Sequence, residues 1–239
     1  IEQGAPMKHA LCATRFAPAG DAPLPDYLFK PPPGAKTLEP GVLALARLLH
    51  RHHGDTLAHS WRVAGLTVFL YARLLPSGQR KVPLHDLHSA ALLHDIGKVG
   101  ISTELLNAPR ALSDEERVTM RDHASHGGRL LFTLRGPLRA LASLVAITHH
   151  EGWNGQGYPA GSAGGALPLH CQVAAMMDVF DALASPRAYK PGWSLKRLVG
   201  LFSEESGKQF DPRLIARMAP LWTSLHAEHR RLYEQTSQR

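Results

Sequence analysis

His94 and Asp95 stand next to each other, with Lys98 three residues further on. An imidazole nitrogen and a carboxylate oxygen are the donor types that hold first-row divalent metals, and the carboxylate has a second oxygen for bridging to another ion. Lys98 follows His94 by four residues, so the two share a helical face if the helix beginning near residue 84 runs on through them. A fixed cation there can stabilise charge developing on a phosphoryl oxygen. The plainer reading is a helix C-terminus, with His94 against the dipole, Gly97 ending the helix and Lys98 in solvent. The pentapeptide alone does not choose between the two.

Three more segments carry the same side-chain chemistry. His149 and His150 end an apolar run and lead through Glu151 into a turn with Gly155, Gly157, Tyr158 and Pro159. Glycines at this density let a loop fold close to a ligand or metal. Asp178 and Asp181 are three apart, on one helical face. For Asp181, orienting a ligand histidine is the more natural role than ligation itself. Asp55 and His59 are four apart and can hold one cation between them, although a helix salt bridge or an N-terminal cap is the commoner use of such a pair. His123 and His126 compete on neighbouring turns, and spacing does not separate them.

These residues need helices to position them. Val42, Leu45, Leu48 and Leu49 share a face, and Leu57, Val63, Leu66 and Leu70 continue in a second segment. Helices are further predicted at about 84–95, 114–134, 137–150, 170–184, 194–204 and 212–234. Ser113 with Glu116 forms a capping box, and Asp211 before Pro212 is an N-cap with proline at the first helical position. Alternating strand patterns are nearly absent, so the predicted fold class is all-α. Eight of the 18 prolines fall within the first 40 residues, so 1–40 reads as an extended Pro-rich arm or linker with at most short ordered pieces, and 41–239 as the folded domain.

At 239 residues the chain can bury one good core. Its net charge of +7 favours anionic ligands, phosphates foremost, without separating a dinucleotide from a polymer. Two cysteines, Cys12 and Cys171, make no disulfide framework and no metal-type spacing, which fits a reducing cytoplasm. The apolar stretch Val63 to Leu75 is interrupted by Arg73 and reads as a core helix rather than a membrane span. The chain opens at Ile1 without an initiator Met, so a leader or an upstream domain is a reasonable expectation.

Taken together, the segments resemble the HD-GYP subgroup of HD-domain phosphohydrolases. The pattern HDIGKxxI stands at His94 to Ile101, and HHExxDGxGYP at His149 to Pro159, with Asn154 where Asp is usual. His123 to Gly127 is similar to the subgroup's HPxxG element with Ala124 for Pro, which favours His123 as the ligand and leaves His126 on the surface. Asp178 to Leu183, Arg187 to Lys190, and Gln209 to Pro212 are similar to its DxFDAL, RxYK and QFDP stretches. Asp55 and His59 match ExxxH with Asp for Glu, and His53 stands where many relatives carry an acidic residue.

The resemblance implies an HD-domain helical bundle and a phosphodiesterase acting on cyclic di-GMP, to linear pGpG and on to GMP. It implies His59, His94, Asp95, His123, His149, His150 and Asp178 as metal ligands, with Asp55 optional for a third ion. Two or three divalent cations follow, iron or manganese before nickel or zinc, bridged by Asp95. Asp95 and Lys98 become the catalytic pair, and Arg187, Lys190 and Tyr158 the substrate contacts. The competing readings are a hydrolase of another cyclic dinucleotide such as cyclic GMP-AMP, and a receptor module that binds without cleaving. No nucleic-acid polymer is expected, since no reader motif or aromatic platform is evident. An upstream sensory or receiver domain and a homodimer complete the expectations.

Overall fold

The computed structural model describes residues 24–30, 37–186 and 191–237. Among them it contains ten α-helices and no strand: α1 Pro40–His52, α2 Gly54–Leu74, α3 Leu84–Leu92, α4 Thr103–Leu106, α5 Asp114–Leu130, α6 Gly136–Thr148, α7 Leu169–Ala184, α8 Leu195–Glu204, α9 Pro212–Met218 and α10 Trp222–Ser237. The chain folds as the all-α bundle its periodicity predicts.

α2 organises the rest. Its apolar residues recur around the whole circumference, so it is buried on both sides rather than along one stripe. Leu57, Trp61 and Ala64 face a core shared with α1, α3 and α6, while Val63, Leu66 and Leu70 face a second core with α7, α8 and α10. Each leucine so buried contributes about 2 kcal/mol relative to exposure. Met176 and Met177 fill the second core. No helix among the described residues is long and apolar enough to cross a membrane.

Local chemistry sets the helix ends. Ser113 and Glu116 cap α5 reciprocally, and the Asp211 side chain accepts from the Arg213 amide at the start of α9. Two predicted boundaries move. α3 stops at Leu92 rather than residue 95, and the chain tightens into a 3₁₀ turn over Ile96–Gly100. The predicted helix 212–234 is interrupted by a 3₁₀ turn at Ala219–Leu221, where Pro220 supplies no amide for a continuous ladder. Within the Pro-rich arm, Asp26–Phe29 forms a 3₁₀ turn that inserts Leu28 into the first core and sets the Tyr27 ring 5.5 Å from that of Trp61.

Candidate metal centre

Five elements converge at one end of α2. His59 comes from α2, His94 and Asp95 from the turn after α3, and His123 from α5. His149 and His150 end α6, and Asp178 lies on α7. The break after Leu92 makes the convergence possible. A continued helix would carry His94 and Asp95 past the bundle, whereas the 3₁₀ turn packs them directly against α5. Gly97 is essential to that packing, because a Cβ there would lie 1.9 Å from the His123 carbonyl oxygen. Lys98 therefore does not meet His94 on a continuing helix. It folds back onto Asp95 instead, with Nζ 2.5 Å from Oδ2.

The imidazoles share one tautomer. His94, His123 and His149 each donate Nδ1–H to the backbone carbonyl three residues earlier, at 2.8, 2.5 and 2.8 Å. A carbonyl can only accept, so Nδ1 carries the proton and Nε2 presents a lone pair to the interior. His59 donates Nδ1–H to Asp181 Oδ2 at 2.7 Å, which directs its Nε2 to Asp178 Oδ1 at 2.9 Å. Asp181 thus orients a histidine, the role its position implied.

The atoms left over need a cation. The Nε2 atoms of His123 and His149 face each other at 3.2 Å, an unfavourable approach for two lone pairs unless a positive charge lies beside them. His94 Nε2 and Asp95 Oδ1 are buried and make no hydrogen bond within the protein. Donor atoms within 4.8 Å of one another form three groups: His123, His149 and His150; His59, His94 and Asp95; and His94, His149 and Asp178. The groups share His94 and His149, and together they contain seven predicted ligands. Such an imidazole and carboxylate set fits divalent metals. Asp55 is in none of the three groups. It lies in the first turn of α2, where a carboxylate is favourable against the helix N-terminus.

Electrostatics divide the imidazoles. Burial holds His123 and His149 neutral, lowering their pKa values to about 4 and about 3. His59 differs: burial disfavours its charge, but hydrogen bonds and attraction from Asp178 and Asp181 outweigh it and raise the imidazole to about 9, so a cation at its Nε2 must displace a proton. For Asp95, desolvation is overcome first by Lys98 and then by His94, which hold the carboxyl well below its usual range.

The loop after α6 closes one side of the centre. The buried carboxylate of Glu151, to which sequence reasoning gave no role, accepts from the amides of Ala160 and Ser162 at 2.8 and 2.9 Å. Tyr158 stacks on His150 with ring centroids 4.7 Å apart, and the guanidinium of Arg121 lies 5.1 Å from the Tyr158 ring. The loop is pinned to the turn before α9 through Trp153 and Asn154 amides, which donate to the Gln209 and Lys208 carbonyls. Asn154 Oδ1 accepts from the Gln156 amide, a turn-forming bond that Asn makes as well as Asp. His53 caps α2 and reaches Asn107 at 3.2 Å. His126 is a correction. It is half-buried rather than on the surface, with Nδ1 3.2 Å from the Gly97 carbonyl. Arg187 and Lys190 lie outside the described residues.

Comparison with known proteins gives this arrangement a family. The HD-domain family model matches residues 43–214, most of the chain. The chain belongs to the HD-domain family. Within it, the His94–Ile101 and His149–Pro159 motifs are those of the HD-GYP branch. The HD domain is 36% identical over 193 residues to a cyclic di-GMP phosphodiesterase of Vibrio cholerae, covering 75% of this chain and 38% of the relative. It is 32% identical over 183 residues to 3'3'-cGAMP-specific phosphodiesterase 2 of the same organism, covering 76% and 34%. The chain therefore spans well under half the length of these curated relatives. In fold, the HD domain is similar to that of the phosphodiesterase PgpH from L. monocytogenes solved with cyclic-di-AMP, with a TM-score of 0.53 at 15% identity, covering 83% of this chain and 100% of the other.

Proposed function

We propose that this HD domain is a metal-dependent phosphodiesterase that opens cyclic di-GMP to linear pGpG. The observation that carries the reading is the set of inward-facing Nε2 and carboxylate oxygen atoms in the three overlapping groups, two of them buried without a hydrogen bond. Relatives named for cyclic di-GMP and cGAMP phosphodiesterase activity support the substrate class.

His59, His94, Asp95, His123, His149, His150 and Asp178 would hold two divalent cations, with iron and manganese suited to the mixed nitrogen and oxygen donors. Asp95 belongs to one of the groups, and its Oδ1 also faces the Nε2 atoms of His123 and His149, so it would be the carboxylate nearest both parts of the centre. Asp55, outside the groups, is left to the helix start, and a third ion is not part of the proposal. Bound cations supply Lewis acidity toward the phosphoryl oxygens and a water of lowered pKa as nucleophile. Asp95, held in the charged form a metal requires by Lys98 and also by His94 and His123, would bind at the centre. Lys98 adds a fixed positive charge beside the reacting phosphate. Tyr158, stacked on His150, forms the lip against which the dinucleotide lies. Arg187 and Lys190 hold phosphate or guanine by the resemblance stated above. Cytoplasmic placement and an additional sensory or receiver domain belong to the same proposal.

The test is product analysis of metal-loaded protein incubated separately with cyclic di-GMP, 3'3'-cGAMP and linear pGpG. Cyclic di-GMP is expected to be opened fastest. Preferential cleavage of 3'3'-cGAMP would move the substrate assignment to that ligand. Tight binding of cyclic di-GMP without hydrolysis would replace the enzyme with a receptor module.

A further inference from the structure

The HD-family match ends at residue 214, yet the most heavily bonded carboxylate beside the metal centre is held from beyond it. Asp181 is fully buried, accepts four hydrogen bonds and has a fifth nitrogen, from His229, within ion-pair distance. Oδ2 takes His59 Nδ1 at 2.7 Å and Arg62 Nη2 at 2.9 Å. Oδ1 takes Arg62 Nε at 2.8 Å and Ser185 Oγ at 3.2 Å, and His229 Nε2 lies 3.1 Å from both Oδ1 and Ser185 Oγ. His229 belongs to α10 and is itself buried. The same helix engages Arg62 twice more. Thr236 Oγ1 accepts from Arg62 Nη1 at 3.0 Å, and the guanidinium lies 5.4 Å from the Tyr233 ring centroid.

We infer that α10 is part of the metal centre, with His229 and Thr236 as positioning residues that fix Asp181 and, through it, the metal-facing tautomer of His59. The inference rests on the metal-centre assignment but not on the substrate. Asp181 can hold His59 in one orientation only if its own carboxylate is fixed. A buried carboxylate bonded on both oxygens by a bidentate arginine has one orientation, and His229 and Thr236 fix the arginine and the carboxylate from the far side. Removing His229 leaves the Ser185 hydroxyl and Oδ1 without the imidazole that backs them, so apart from His59 the Asp181 carboxylate is held by Arg62 and Ser185 alone and less tightly. The direction of His59 Nε2 toward Asp178 is then less sharply set.

The experiment compares Mn²⁺ affinity, titrated by the loss of the free-ion electron paramagnetic resonance signal, in full-length variants. His229→Ala is expected to weaken binding about tenfold, the lower end of what losing such an outer partner costs. His229→Gln, whose amide can donate to the same oxygen, should recover most of that loss. Leu232→Ala is the structural control, since the Leu232 side chain is buried in the same helix against Gly65, and the substitution keeps the backbone carbonyl that accepts from Thr236. It should lower the melting temperature and leave Mn²⁺ affinity within twofold. Thr236→Val, nearly isosteric, gives a second reading if His229→Ala does not fold, and should weaken Mn²⁺ by a smaller factor. Equal weakening by His229→Ala and Leu232→Ala would overturn the inference, as would unchanged affinity in both His229→Ala and Thr236→Val. Because no cyclic dinucleotide is present, the outcome is independent of whether the substrate assignment holds.

Discussion

Lys98 and Asp95 divide one carboxylate between two tasks. Lys98 Nζ is 2.5 Å from Oδ2, while Oδ1 faces His123 Nε2 at 3.4 Å and His149 Nε2 at 3.7 Å. His94 Nε2 is 3.3 Å from Oδ2. One oxygen is thus charge-paired at the rim and the other is turned into the buried imidazole cluster.

That division separates the two residues experimentally. Asp95→Asn removes the buried carboxylate charge from the centre and should strip metal along with activity. Lys98→Met keeps the side-chain length without the charge, so metal content should remain while turnover falls on the order of a hundredfold. Elemental analysis alongside initial rates checks both. Loss of metal in Lys98→Met would make the lysine a determinant of binding rather than of rate.

Glu151 carries the loop that closes the site. Glu151→Ala leaves the Ala160 and Ser162 amides without their acceptor and should cost about 2 kcal/mol in urea unfolding. Because Glu151 is in none of the three donor groups, metal content should persist while KM rises. An unchanged unfolding midpoint would show that the loop keeps its shape without this carboxylate.

His88 should make stability fall with acid. It is fully buried, neither ring nitrogen has a hydrogen-bond partner, and burial lowers its pKa from 6.5 to about 4. Between those values the unfolded chain binds the proton and the folded one does not, so stability drops as pH falls through that window and levels off below it. From pH 7 to pH 5 the contribution is about 2 kcal/mol. His88→Leu should reduce the measured pH dependence of unfolding by that amount. Identical pH dependence in both proteins would mean that His88 finds a partner for its charged form.

The fold and the inward-facing histidines were legible in the sequence because each rests on local pattern. Helical period marks the elements, and adjacent or motif-spaced histidines mark the centre. Three features were hidden for physical reasons. Nothing between Leu92 and Asp95 breaks helix by propensity. The turn there is imposed by the approach of Gly97 to the α5 backbone, a tertiary contact. Spacing does not separate His126 from His123, the resemblance leaves it on the surface, and only that same approach half-buries it against Gly97. The pairing of Asp181 with His229 joins residues 48 positions apart, and no periodicity within α10 distinguishes His229 from its neighbour His226.

The most direct measurement is pGpG formation from cyclic di-GMP as metal is titrated into metal-free protein. The dinuclear account predicts little product up to one equivalent of Mn²⁺ or Fe²⁺, a steep rise toward two, and none at any loading in Asp95→Asn. Full turnover at one equivalent, or hydrolysis that persists in a chelator, would contradict it.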